Sequence, residues 1–598
     1  MTRMFYRQFA AFAASALAVT VAGSALAQAP TPDQPAAVQS ASVRPELRAF
    51  WVDGFNDGYK TPQQCEAMMA NLRRMHCNAV FVQMRKRADA YYSSSYEPWA
   101  LDDPDHFDAL AYVCKLAHAP GQPRIAVHAW INACAVGGNK SPDSLTKRHP
   151  DWFSTSDGGV DYDNESTKID PGNPDAADWT FRVYMDVARH YPVDGIHLDF
   201  IRYGGTGKSV GHWGYNPVSV ARFNARYGLS GQPAWNDPRW QAWRREQVTA
   251  LVRRISVTAA SIRPDLMVSA ATICWGAPPA DDAEYEAKSA SYTEVFAPWR
   301  DWIRDGLLDM NCPMTYFDMV KRPQYWTGWS EFVKTHQYGR ISAMGVGAWM
   351  NTIPNTISQV ADTRMPDSDG RPAGGAVLFS YAGTDTTNHV ERQYSEDLYQ
   401  ALTAPGLWDS DAPPPAMPWK SHPASGSVAG VVLKTDLTPV DGAVVTVRSL
   451  DGGPERTATA DGNGFYAAPG LPPGRYSVSL QPDGAATIRM NAVVVAGHVS
   501  RMPENLSGRK VAGVGDLPEG AAVTFPRAVV TSGSGRTGEW FFVADGFGRY
   551  PVRVHLPAGC PPAVAGDIVA VKGRVRREPG LDIDAVAVRL LAVTLPSM

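Results

Sequence analysis

The densest run of reactive side chains is Asp194-Gly195-Ile196-His197-Leu198-Asp199-Phe200-Ile201-Arg202-Tyr203. On a β-strand, alternate residues face opposite ways, so His197 and Asp199 share one face while Ile196, Leu198 and Phe200 share the other. A carboxylate at the end of such a strand is suited to proton transfer or to attack on an electrophilic carbon. The same parity recurs elsewhere. Trp51 and Asp53 share a face, as do Gln83 and Arg85, then His128, Trp130 and Asn132, and finally Met314, Tyr316 and Asp318. Trp130, Tyr203, Trp275, Tyr316, Trp349 and Tyr381 lie at the ends of apolar runs, where a flat ring either fills a core or stacks on a sugar.

These groups do joint chemistry only if a scaffold brings them to one rim. The spacing predicts eight strands, at 48–54, 79–85, 124–132, 195–202, 267–275, 309–317, 341–349 and 375–381, separated by helical stretches. Thr61-Pro62 and Asp237-Pro238 each read as a cap followed by proline at the first helical position. After the second of these, Val248, Leu251, Val252, Ile255, Ala259 and Ile262 form one apolar face. Eight alternations over some 350 residues fit a (β/α)8 TIM barrel, with Asp199 near the C-terminal end of the fourth strand, where barrel enzymes place their sites. A doubly wound sheet is the competing arrangement, but no glycine-rich phosphate fingerprint follows the first strand.

Length and composition bound the remainder. The chain has 598 residues, 44% of them hydrophobic and 19% charged, enough for a large core and further modules. Lys plus Arg number 56 against 60 Asp plus Glu, so the basic excess of a dedicated nucleic-acid binder is missing and no nucleic-acid partner is expected. Of 18 tryptophans, 15 lie between Trp51 and Trp349, which marks that region as chemically distinct. Arg3 and Arg7 precede an apolar run ending in Ser24-Ala25-Leu26-Ala27, the pattern of a secretory signal over 1–27. An Ala-, Pro- and Gln-rich lead over 28–43 follows, and no membrane helix is expected in the mature chain. Seven cysteines without paired spacing, and histidines without an HExxH pattern, give no expectation of a metal or other cofactor. Asp161, Asp163 and Glu165 read as an acidic loop before they read as a calcium site.

Prolines crowd 403–425, which reads as a linker or a strap. Beyond it, turn signals and short β runs predict two small all-β domains. DGNGFYAAPGLPPGRYSVSL (461–480) resembles the carboxypeptidase regulatory-like modules of immunoglobulin type, placing that sandwich at 426–503. The runs 539–556 and 566–593 look like strands of an OB-like barrel at 504–598.

RAFWVDGFNDGYKTP, AVFVQMRKRADAYY, VHAWIN, DPGNPDAADW, DGIHLDFIRY, DMNCPMTYF and GAVLFSYAG, in that order across 44–402, resemble the bacterial glycosyl-hydrolase-like family 10. The resemblance implies a barrel acting on glycosidic bonds, and its envelope relatives imply peptidoglycan glycan strands as the substrate. Glycoside hydrolysis ordinarily uses two carboxyl groups. Asp199 is the expected nucleophile or base and Asp318 the expected acid, with Asp53, Glu97 and the Asp281/Asp282 pair as competitors. Asp53, Arg85, His128, Trp130, Asn132, His197, Arg202, Tyr203, Trp275, Tyr316, Trp349 and Tyr381 are the expected substrate contacts, with Arg87 a further candidate for holding acidic or hydroxyl groups. The sequence thus predicts an exported hydrolase of the periplasm or envelope, its β modules meeting glycan or envelope partners. The competing readings are a catalytically silent glycan binder, an envelope scaffold, or a hydrolase of another polysaccharide.

Overall fold

The computed structural model describes residues 44–163, 166–205, 211–386, 396–434, 437–481, 487–502, 519–533, 539–544, 551–577 and 582–595. The segments read as a signal, as its lead and as Glu165 of the acidic loop lie outside the described residues.

Eight parallel strands close into a barrel: Leu47–Val52, Ala79–Arg85, Ala126–Asn132, Gly195–Asp199, Met267–Ile273, Met310–Thr315, a seventh in two runs (Ile341–Ser342 and Met344–Gly347), and Gly375–Phe379. Each pairs with its sequence neighbour. The ring closes where Leu47–Trp51 of the first strand meet Gly375–Phe379 of the eighth. All eight expected strands form, but most end earlier than the apolar runs suggest. The fourth stops at Asp199 because Phe200 takes φ +48, a left-handed conformation that turns the chain out of the sheet.

Helices fill the gaps, and proline opens several of them. Thr61 Oγ1 accepts from the Gln64 N–H at 3.2 Å ahead of helix Pro62–Arg74. Asp237 caps Pro238–Ile262, accepting from the Arg239 N–H at 2.8 Å. Asn173 and Asn216 do the same for Pro174–His190 and Pro217–Tyr227. In each, the side-chain acceptor satisfies a free N–H while proline occupies a position that needs none. The predicted apolar face of Pro238–Ile262 is buried throughout.

The proline-rich segment is a strap across the N-terminal end of the barrel. The Glu46 N–H donates to the Pro413 carbonyl, and Arg48 and Asn78 donate to the carbonyls of Leu407 and Ala412. Further on, Met417 and Trp419 pack against the residues that fill the barrel interior. Trp419 Nε1 donates to Asp309 Oδ1 at 2.7 Å, the Lys420 ammonium lies 3.1 Å from Asp309 Oδ2, and Arg340 stacks on the Trp419 ring.

Two β modules follow. The first pairs Gly426–Val431 with Phe465–Leu471 and Val499–Arg501, beside a second sheet ordered Glu455–Thr459, Val444–Ser449, Gly474–Leu480, Ile488–Val494. The other is a closed five-stranded barrel of Ala522–Gly533, Trp540–Ala544, Pro551–His555, Asp582–Val593 and Asp567–Arg576, with one parallel pairing between Pro551–His555 and Asp582–Val593. Both modules are pinned to the barrel's outer helices. Arg222 forks onto Asp441 with two contacts of 2.7 Å, and Arg189 meets Asp567 at 2.5 Å with both side chains buried. No helix among the described residues is long and apolar enough to cross a membrane. None of the seven cysteines is bridged, and six are buried.

Candidate active site

At the C-terminal end of the barrel a cavity of about 520 Å³ opens, within the range typical of small-ligand sites. Its floor rests on a filled barrel interior. Trp51 Nε1 donates to His197 Nε2 at 3.0 Å, and His197 Nδ1 lies 2.9 Å from Ser269 Oγ. Accepting at Nε2 leaves Nδ1 to donate, so the imidazole is neutral. Burial, and then His128, push its pKa well below the ordinary value. His128 stacks on Phe81 at 4.5 Å and is lowered to about 4 by burial. Gly195 makes room for that ring, because a Cβ there would lie 2.3 Å from His128 Nδ1.

Asp199 sits one layer above. Trp130 Nε1 donates to Asp199 Oδ2 at 2.9 Å, the Phe200 N–H donates to Oδ1 at 2.7 Å, and the Arg202 guanidinium lies 3.7 Å from Oδ1. Two N–H donors and a neighbouring cation all favour the anion. This is the state required of a nucleophile or base, not of an acid. The Tyr316 hydroxyl is raised well above its ordinary pKa, by burial and then by the negative charge of Asp199.

From Asp199 the wall runs through neighbouring strands to Asp53. Asn132 pairs in register with Asp199, Gln83 Nε2 donates to Asn132 Oδ1 at 3.2 Å, and Gln83 Oε1 accepts from the Gly54 N–H at 2.9 Å. Asp53 Oδ1 accepts from the N–H groups of Phe55 and Asn56, while Asn56 Nδ2 donates to both its oxygens. Among the described residues, Asp53 and Asp199 are the two carboxylates that line the cavity. The mouth is aromatic. Phe55, Tyr162 and Trp275 line it and remain 47%, 49% and 41% exposed, which fits rings kept for stacking rather than for a core. Three cations join them. Lys86 reaches Asp102 at 2.8 Å, Arg202 stacks on Phe200 at 4.1 Å beside Asp199, and Arg87 stacks on Phe55 at 4.8 Å. Burial lowers the pKa of Lys86 despite its bond to Asp102.

The structure thus brings together Asp53, Trp130, Asn132, Asp199, Arg202, Trp275 and Tyr316 from the expected set. Others fall elsewhere. Asp318 does not line the cavity. It lies in the turn before helix Pro323–Thr335, 2.7 Å from the Lys321 ammonium, and it accepts from the N–H groups of Val320 and Lys321. Its bond from Lys321, followed by the turn N–H groups, lowers its pKa, the opposite of what an acid needs. Arg85 is buried in an ion pair with Glu97 at 2.6 Å, beneath the wall rather than in it. His128 and His197 are one layer too deep, because strand parity fixes the face but not the height. Tyr203 is buried, its hydroxyl 3.2 Å from Asp170, since the chain has already left the strand. Trp349 lies in the 3-10 turn Ala348–Met350, and Tyr381 is buried against Phe50 and Tyr399 with its hydroxyl accepting from Asn71.

Phe55, Lys86, Tyr162 and Phe200 line the cavity without having been expected there. Parity put Phe200 on the outer face, and its left-handed turn reverses that. Tyr162 comes from the long excursion after the third strand, where no periodicity exists to read. Among the described residues no cluster of His, Cys, Asp or Glu has the makings of a metal site.

Residues 46–342 match the family described as glycosyl hydrolase-like 10, and residues 427–507 match the carboxypeptidase regulatory-like domain. Glycosyl hydrolase YngK of Bacillus subtilis is 26% identical over 304 residues, covering 46% of this chain and 54% of that protein. Glycosyl hydrolase DigH of Escherichia coli K12 is 27% identical over 270 residues, covering 41% of this chain and 56% of that one. The chain therefore matches only about half the length of these curated relatives. Among solved structures, the glycoside hydrolase domain of PgaB (BpsB) from Bordetella bronchiseptica is similar at 16% identity and a TM-score of 0.39, covering 60% of this chain and 99% of that domain.

Proposed function

We propose that the glycosyl hydrolase-like 10 domain of this chain hydrolyses glycosidic bonds of an envelope polysaccharide, with peptidoglycan glycan strands as the favoured substrate. The observation that carries the reading is Asp199, held as the anion by Trp130, the Phe200 N–H and Arg202 under an aromatic-mouthed cavity. Asp199 attacks the anomeric carbon or activates the water that does so. Asp53 replaces Asp318 as the second carboxyl of the pair, because it shares the cavity wall. The charged, apolar and small-residue pattern at the N-terminus supports export to the periplasm or envelope, where such a substrate lies. The β modules, docked on the outer helices, are proposed to contact glycan or envelope proteins.

One observation favours a silent glycan binder as the second reading. Among the described residues, the four hydrogen bonds to Asp53 all come from N–H donors, of Phe55 and Asn56, and none of these is an acceptor for the proton that a general acid carries. Reducing-end release from peptide-free peptidoglycan strands and from neutral β-glucans, together with aryl glycosides bearing good leaving groups, separates the two readings. Asp199→Asn is expected to lower release about 10²–10⁴-fold with every leaving group. Asp53→Asn is expected to lose activity on natural linkages and to regain it on the aryl glycoside, which needs no acid. Binding without release by the wild-type chain would establish the second reading.

A further inference from the structure

Among the described residues, each cation that lines the cavity has a carboxylate beside it except one. Lys86 is met by Asp102 and Arg202 by Asp199. For the Arg87 guanidinium there is no ion pair or hydrogen bond among the described residues, yet the side chain is held in place. Its plane packs on Phe55 at 4.8 Å. Gly138, at φ +90, also approaches it so closely that a Cβ would lie 3.2 Å from Arg87 Nε. The backbone that presents it is equally fixed, since Asp89 Oδ1 accepts the N–H groups of both Lys86 and Arg87. A guanidinium packed against a ring and a glycine, in the lining of a ligand cavity and without an acceptor of its own among the described residues, can receive one from outside the chain.

We propose that Arg87 recognises a carboxylate carried by a sugar of the bound glycan, so that the cavity selects acidic over neutral chains. This rests on the proposed function, since the glycan is the one lying over Asp199. The planar fork matches a carboxylate in two parallel bonds, and the Phe55 face spares it full hydration. A phosphate fits poorly. As a monoester it brings a charge nearer two, and the same wall already holds the anionic Asp199 and the carboxyl of Asp53.

The test uses the full chain and matched substrates. Peptide-free peptidoglycan strands bear their carboxylate on an ether side arm, and polygalacturonate bears it on the ring. Each is compared with its own carboxyl-reduced or methyl-esterified form. The wild type is expected to favour one acid form over its neutral partner by about 10- to 100-fold in kcat/KM, and which pair shows the preference identifies the source of the carboxylate. Arg87→Gln should bring that ratio close to one, and Arg87→Lys should restore part of it. A wild-type ratio near one for both pairs, or a ratio unchanged in Arg87→Gln, overturns the proposal. If the wild type cleaves nothing, the hydrolase reading fails by itself. The same ratios are then read from binding to the wild type and to Arg87→Gln, followed by tryptophan fluorescence, where equal affinity of the wild type for acid and neutral forms overturns the role of Arg87.

Discussion

Asp199 differs from an ordinary strand-end aspartate in what donates to it. The indole of Trp130 and the N–H of Phe200 hold the two oxygens, and removing either donor weakens the anion. Trp130→Phe keeps the ring but loses the donor. The value of kcat is therefore expected to fall about tenfold, as for one charge-assisted hydrogen bond. Deeper in the barrel, His128 at about 4 and His197 well below its ordinary value are both neutral in the fold. Unfolded, each would bind a proton near pH 6.5. Their stabilisation is thus complete above about pH 6.5 and is lost as the pH falls toward the folded value. The slope is at most about 1.4 kcal/mol per pH unit for each histidine. Denaturant titrations between pH 7 and pH 4.5 should show this fall, and His128→Gln should make it shallower.

At the scale of elements, strand ends decide which residues meet. Parity along the fourth strand correctly sets His197 and Asp199 on the inner face, but Phe200 leaves the sheet and carries Tyr203 away from the rim. A left-handed non-glycine residue has no sequence signature strong enough to read, which is why the lining was only partly foreseen. The strap shows the same division. Its prolines announce a stiff segment, yet nothing in their spacing reveals that Trp419 seats under the barrel against Asp309. Trp419→Ala removes ring packing and leaves a carboxylate oxygen short of a donor. The barrel is expected to lose about 2 kcal/mol, read as a lower denaturant midpoint of the full chain.

For the whole molecule, the β modules are parts of one ionic framework with the barrel. Asp178 receives Arg182 and Arg254, each at 2.6 Å, and Asp567 of the last module receives Arg189. Removing one partner of a buried pair costs about 3–5 kcal/mol, because the other charge stays buried alone. Asp567→Ala should therefore loosen the last module, seen as earlier proteolytic cleavage within it. Cleavage of glycan should be unaffected, since no described residue of the β modules lines the cavity.

By itself the sequence determined the eight-strand alternation, the proline-opened helices, the switch to all-β modules and the placing of Asp199 at a strand end. All of these are local, fixed by periodicity, caps and composition within a few residues. Tertiary structure alone decided that Asp53, and not Asp318, lines the cavity with Asp199. It also decided how deep His128 and His197 lie, and that Arg87 reaches the cavity without a counter-charge while Arg85, two residues earlier, is neutralised by Glu97. Those outcomes depend on height along the barrel axis and on partners distant in sequence, neither of which a one-dimensional pattern encodes.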